Sequence, residues 1–263
     1  MKADLYQVVT FATDPFRGNP AYVVVDGSLL PDTTLAAVCG LLRTEIIAVI
    51  DDAGRKEPAL RIFTSAGPHA GAGHASLAAA HVVLDRGARP DVAFKLSNGE
   101  ERRAWREDGR IALRFPAMPM TSALRNDEIA DALGARPAET WISDFALIAC
   151  YDTEETVAAL APDMERVSSL DRTAVVAMAR SSGADDIVVR VFAPAGGLPE
   201  DPVCGTAHRI IAPYWSARLG KPIVHSRHLS PRGGDLWCNV EGRDVVIAGQ
   251  SRLVITGQIE LPD

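Results

Sequence analysis

The chain has 263 residues, 47% hydrophobic and 23% charged, a usage typical of globular proteins and enough for one large core or two of ordinary size. A net charge of −7 offers no basic field for nucleic acid, and no uninterrupted apolar run reaches the roughly eighteen residues that would cross a bilayer. The opening Met1-Lys2-Ala3-Asp4-Leu5 lacks the apolar stretch of a signal peptide, and Cys39, Cys150, Cys204 and Cys238 show no close pairing, so the expected compartment is the reducing cytoplasm.

Tyr6 to Phe11 and Ala21 to Val25 read as strands around a loop rich in Gly, Asn and Pro. Leu29 to Leu42 has helical character, with Asp32 or Thr33 available as a cap behind Pro31, and a strand follows over Ile46 to Ile50. The strand Arg61 to Thr64 leads through Gly71 and Gly73 into an alanine-rich run, Ala75 to Leu84, of strong helix propensity. Phe94 to Ser97, Glu101 to Trp105 and Ile111 to Phe115 read as antiparallel strands turning at Asn98-Gly99 and Asp108-Gly109. Pro116-Ala117-Met118-Pro119 disfavours both helix and central strand and marks the crossing between halves. Beyond it, Asn126 to Leu133 and Glu154 to Leu160 read as short helices and Thr173 to Ala179 and Ile187 to Phe192 as strands. Ala207 to Leu219 reads as a long helix, and β segments follow near Leu236 to Val240, Asp244 to Ala248 and Leu253 to Ile259.

Two stretches of this chain say nearly the same thing. Arg61-Ile62-Phe63-Thr64-Ser65-Ala66-Gly67 runs into Gly71-Ala72-Gly73-His74, and Arg190-Val191-Phe192-Ala193-Pro194-Ala195-Gly196 runs into Val203-Cys204-Gly205-Thr206. Ten positions separate Phe63 from Gly73 and thirteen separate Phe192 from Gly205, which suggests three extra residues in the stretch holding Glu200 and Asp201. The expected fold is therefore α+β: two pseudo-symmetric lobes, each a curved, mostly antiparallel sheet around one main helix. The lobes are placed at 1–116 and 117–263, with the last strands free to cross back to the first lobe.

Gly73 and Gly205 each stand immediately before a helix. The first backbone N–H groups of a helix have no partner inside it and carry partial positive charge, so two such ends facing one cleft would hold a carboxylate without a lysine. Glu45 precedes the apolar run Ile46 to Ile50, where partial desolvation would raise its pKa into the range useful for proton transfer; an exposed acid beside Arg43 is the plainer alternative. His74 could donate to a carboxylate or relay a proton, and Asp201 could orient an amine or fix that histidine. Cys204, before a helix-opening glycine, is a candidate for a depressed thiol pKa. Gly71-x-Gly73-x-x-Ser76 only weakly suggests a dinucleotide site, since its third glycine is replaced and no parallel βαβ pattern is visible around it. His69 with His74, or His225 with His228, lacks a convincing third ligand, so no metal is expected.

Taken together these motifs resemble the phenazine-biosynthesis PhzF-like isomerase family, which shares a two-lobed fold with diaminopimelate epimerase. The resemblance covers nearly the whole chain. It rests on Phe11 to Ala21, Thr44-Glu45, Gly73-His74-Ala75-Ser76, the run from Glu200 to His208, and Ser230-Pro231-Arg232-Gly233-Gly234. It implies a cofactor-independent proton shift or epimerisation on a small carboxylate-bearing substrate, with Glu45 as general acid/base and His74 and Asp201 completing the catalytic set. Asn19, Gly73, Gly205 and Thr206 are implied as substrate contacts, and a homodimer is the usual assembly. Ile46, Ser65, Pro68, Ala72 and Thr206 depart from the family's pattern and point to a changed substrate. The expected activity is an isomerase of secondary metabolism, acting on an unsaturated or cyclic carboxylic or amino acid. A racemase or epimerase with a second proton carrier and a non-catalytic acid-binding protein are the alternatives.

Overall fold

The computed structural model describes residues 2–26, 30–51 and 55–261. It divides into two compact units, Met1–Phe115 with Ala248–Asp263, and Pro116–Ile247. Leu29, expected at the start of the first helix, lies outside the described residues.

The first unit comprises β1 Lys2–Thr10, β2 Asn19–Val25, α1 Asp32–Leu41, β3 Ile47–Ile50, β4 Ala59–Thr64, β5 Gly67–His69, α2 Gly73–Gly87, β6 Asp91–Leu96, β7 Glu101–Glu107 and β8 Arg110–Pro116. β1 and β2 run antiparallel, β2 and β3 parallel, and β3 and β4 antiparallel. β4 then turns back as β5, and α2 carries the chain over to β6, which lies parallel to β4. This crossover is a parallel unit around Gly71 and Gly73 that the sequence pattern did not reveal. β6 with β7 and β7 with β8 form antiparallel hairpins. Every residue of α2 from Ala75 to Leu84 is buried, because small alanines let the helix pack closely on the sheet. Helix α1 has no side-chain cap. The Pro31 carbonyl accepts from the N–H of Thr34 and Leu35, and Asp32 is inside the first turn, paired with Arg61 at 3.0 Å.

The second unit repeats the scheme. Its elements are β9 Thr121–Ser122, α3 Asn126–Leu133, β10 Glu139–Ile142, β11 Ala146–Cys150, α4 Glu154–Ala159, α5 Met164–Ser169, β12 Ala174–Arg180 and β13 Ile187–Ala193. β14 Leu198–Asp201, α6 Gly205–Leu219, β15 Ile223–His228, β16 Gly234–Glu241 and β17 Asp244–Gly249 follow. Here too an antiparallel pair (β10, β11) is followed by a parallel one (β11, β12), then antiparallel β12 and β13, a turn back as β14, and a helix leading to β15 parallel to β13. Period-two alternation fills both faces of this sheet. Leu147, Ala149, Val175 and Phe192 pack with α3, α4 and α5, whereas Ile148, Val176, Val189 and Val191 pack with Ile210, Ile211 and Trp215 of α6. At about 1.5–3 kcal/mol for each large apolar side chain fully buried, this double-sided core is the unit's main stabilising term. Pro213 lies inside α6 and cannot donate to the Arg209 carbonyl; Met118 N–H supplies that bond at 2.9 Å. The chain closes in β18 Ser251–Glu260, which returns to the first unit and pairs antiparallel with β1.

Strand register relocates the three extra residues of the second copy. Phe63 faces Pro68 and Phe192 faces Glu200, so both loops run five residues from that partner to the helix-opening glycine. The additional residues belong to the hairpin, where Pro194–Gly196 forms a 3₁₀ turn and Gly197 adopts φ +86°. Asp201 is thus the register counterpart of His69 and does not sit in an insertion.

Candidate active site

Glu45 sits on the bend between α1 and β3. Arg43 turns the chain at φ +48°, and Thr44 Oγ1 donates to the Ile46 carbonyl at 3.2 Å, bridging over Glu45. Ile46 and the whole of β3 are buried, but Glu45 is exposed. The partial desolvation expected from the apolar run does not reach it: burial begins one residue later, because the bend holds Glu45 outside the ladder that starts at Ile47.

Asn19 opens β2 and is buried, its carbonyl accepting from Thr10 Oγ1 at 2.9 Å. Gly18 before it has φ +67°, and a Cβ there would collide with the Thr10 carbonyl, so only glycine fits.

Gly73 is the first residue of α2. Its N-cap is Ala72, in extended conformation and with no side chain capable of capping, and the first turn carries no acid. The leading N–H groups are therefore not consumed by a cap. His74 follows, and its Nε2 is buried without a hydrogen-bond partner among the described residues. Burial, with a smaller push from His69, lowers the His74 pKa to about 4, which keeps the ring neutral near pH 7. A neutral imidazole with one unused buried nitrogen is equipped to meet a ligand atom, since leaving it unpaired costs about 1–3 kcal/mol.

The second unit offers a matching helix start. Gly205 opens α6 behind Cys204, again with no side-chain cap and no acid in the first turn, and Thr206 is half-buried in that turn. Asp201 ends β14, and its Oδ1 accepts from the N–H of Val203 at 3.1 Å. Burial raises its pKa to about 6 against the opposing effect of hydrogen bonds from Cys204 and Val203. Neighbouring Glu200 is a structural acid. Arg190 holds both its oxygens, at 2.8 and 3.0 Å, while donating to the Leu160 carbonyl at 2.8 Å beyond α4.

Cys204 does not have the depressed pKa suggested by its place before a helix. Burial first, and then the charge of Asp201, push the thiol well above its ordinary value, outweighing the helix start. Two supports went unassigned in the sequence. His208 is locked between the Cys204 carbonyl and Ser226 Oγ, both at 2.8 Å, and burial lowers its pKa to about 4. Ser230 Oγ donates to the Pro202 carbonyl at 2.8 Å and accepts from Gly233 N–H at 3.0 Å, tying the late glycine turn to the residue after Asp201. The Ser-Pro-Arg-Gly-Gly motif was the available signal for it.

His225 proves to have acidic neighbours. Asp185 and Asp235 approach its two ring nitrogens at 3.3 and 3.5 Å, and one ligand atom from each of the three residues falls within 4.8 Å of the others. Arg227 already neutralises Asp185 at 2.5 Å, and the ring stacks on Trp237 at 4.4 Å, so the cluster is built as an ion-pair and stacking network.

Duplicated sheets, each wrapped on a helix that starts at an uncapped glycine, define the fold class of the PhzF-type isomerases and related epimerases. The phenazine biosynthesis-like family, PhzC-PhzF, matches residues 8–257. An uncharacterized isomerase of Pseudomonas aeruginosa is 37% identical over 99% of this chain and 100% of its own length. A phenazine biosynthesis-like domain-containing protein of Homo sapiens is 29% identical over 98% and 99% of the two chains. Among solved structures, a PhzF-family protein of Enterococcus faecalis superposes with TM-score 0.92 at 31% identity, covering 99% of this chain and 100% of the other. A hydroxyproline epimerase of Agrobacterium vitis shares the fold, with TM-score 0.59 at 15% identity, covering 100% and 93%. The chain belongs to the phenazine biosynthesis-like family and is an isomerase. Among the described residues no helix is long and apolar enough to cross a membrane.

Proposed function

We propose that this isomerase moves a proton within a small unsaturated or cyclic carboxylic or amino acid, without a cofactor, in a cytoplasmic pathway of secondary metabolism. Glu45 takes a proton from one carbon of the substrate, and the electron pair of that C–H bond delocalises towards the substrate's unsaturated acid group. The same carboxyl returns the proton to a second carbon, so the step needs neither oxidant nor second base. His74 and Asp201 position the substrate, while Asn19, Gly73, Gly205 and Thr206 hold it. The observation that carries this reading is the buried, unpartnered Nε2 of His74 in the first turn of an uncapped helix. The assembly we propose is a homodimer.

Proton NMR in deuterated water, run on a panel of small unsaturated and cyclic acids, tests the chemistry. Turnover with Glu45→Gln should fall by roughly 10²-fold to 10⁴-fold with the fold intact, the usual contribution of a positioned acid or base. Retention of some substrate proton in the product supports a single-base shuttle, and full deuteration at an inverted carbon supports a two-base epimerase. A Glu45→Gln enzyme with near-normal rates would remove Glu45 from the mechanism.

A further inference from the structure

Strand β18 is built unlike the other long strands of its unit. It pairs with β1 from Lys2↔Glu260 to Thr10↔Ser251, and its Ser251 end meets His81 of α2 at 2.8 Å, yet every residue from Arg252 to Gln258 is exposed. Leu253, Val254 and Ile255 are consecutive and 39%, 42% and 45% exposed. A long apolar edge strand is a template for another strand, and monomeric proteins normally blunt such edges with charges or proline in the middle of the strand. In β18 the charges are confined to the ends, Arg252 at one and Glu260 at the other, and the stretch between them carries none. The one irregularity is a bulge that leaves Val254 without a partner on β1.

That distribution selects the occupant. Two antiparallel copies of β18 related by a two-fold axis near Thr256 bring the Arg252 end of each strand to the Glu260 end of the other. The same symmetry places Ile255 of one copy beside Gly257 of its partner, where a Cβ would meet nothing within 4 Å. Glu260 is in an exposed ion pair with Lys2 of β1 at 2.8 Å, which Arg252 of a second copy would share; with the apolar middle and the open space beside the glycine, this makes the edge self-complementary, as an isologous dimer requires. We infer that the free edge of β18 is the homodimer interface, where a second copy of this chain adds its own β18 in antiparallel pairing. The inference rests on the homodimer proposed above and adds where the contact lies.

Light scattering coupled to size exclusion reads the outcome. The unmodified chain should run at twice 28.1 kDa, and Leu253→Lys with Ile255→Lys should run at 28.1 kDa with unchanged circular dichroism. Leu124→Lys, at a 99% exposed apolar residue of the second unit, should leave the dimer intact. Arg252→Glu alone should shift the population towards monomer by setting like charges together, and Arg252→Glu with Glu260→Arg should restore it. A lysine double variant that stays dimeric overturns the β18 interface while leaving the homodimer standing. An unmodified chain that is monomeric at all concentrations overturns both and leaves the edge to a different protein.

Discussion

Arg190 and Glu200 face each other across the β13–β14 hairpin with two parallel hydrogen bonds, and their side chains are only 12% and 13% exposed. The same guanidinium lies over the Phe192 ring at 4.8 Å and closes the carbonyl end of α4. This clamp fixes the strand whose last residue is Asp201. Removing one member of a nearly buried pair leaves the other charge uncompensated, at a cost of about 3–5 kcal/mol. Arg190→Met should therefore lower the urea midpoint strongly, and Arg190→Met with Glu200→Leu should recover a large part of the loss. A single variant as stable as the parent would show that the pair is solvated and dispensable.

Much of this architecture was legible because the chain repeats itself. The helix starts at Gly73 and Gly205, the hairpins at Asn98-Gly99 and Asp108-Gly109, and helix α3 all follow from local chemistry. Three features escaped because they depend on pairing, register or burial that only the folded chain supplies. The parallel pairing of β4 with β6 joins Ala59 to Lys95, which no local pattern reports. Counting residues located the extra length of the second copy near Asp201, whereas register places it in the Pro194–Gly196 turn. The Cys204 thiol invited a helix-dipole argument, and complete burial beside Asp201 reverses its sign.

Ser230 tests whether the late glycine turn supports the site. Its hydroxyl joins the Pro202 carbonyl to the Gly233 N–H, and both are left unsatisfied in Ser230→Ala. A destabilisation of about 1–3 kcal/mol is expected, with a fall in kcat/KM as the Asp201 end of β14 loosens. Ser230→Thr should preserve both bonds and rescue activity. Equal damage from both variants would assign the residue to packing alone.

Acid should destabilise the fold through its buried imidazoles. His74 and His208 both have folded pKa values near 4, depressed by burial below an ordinary 6.5, and burial lowers His81 and His228 as well. A depressed histidine contributes stability that is present above about pH 6.5 and is lost as pH falls through 4, because the unfolded ring takes up its proton first. Urea midpoints should drop across that window, and His74→Gln should flatten the slope by removing one of the protons taken up. A slope unchanged in that variant would place His74 in water.

Asp201 should act in the opposite direction over an overlapping range. Its folded pKa is raised to about 6 from an ordinary 3.8, so the fold favours the protonated carboxyl. The corresponding stability is fully present below about pH 3.8 and is lost as pH rises through 6, when a charge must be carried in a desolvated place. Asp201→Asn removes the charge and keeps an oxygen to accept from the Val203 N–H, the bond that shapes the turn into α6. The variant should therefore match the parent in acid and become the more stable of the two above pH 6, while its turnover falls if the carboxylate is what orients the substrate. Differential urea melts at pH 4 and pH 8 read the first effect, and kcat against KM on the same samples reads the second. A stability difference independent of pH would mean that Asp201 is solvated, and full turnover in the stabilised variant would leave it a structural residue.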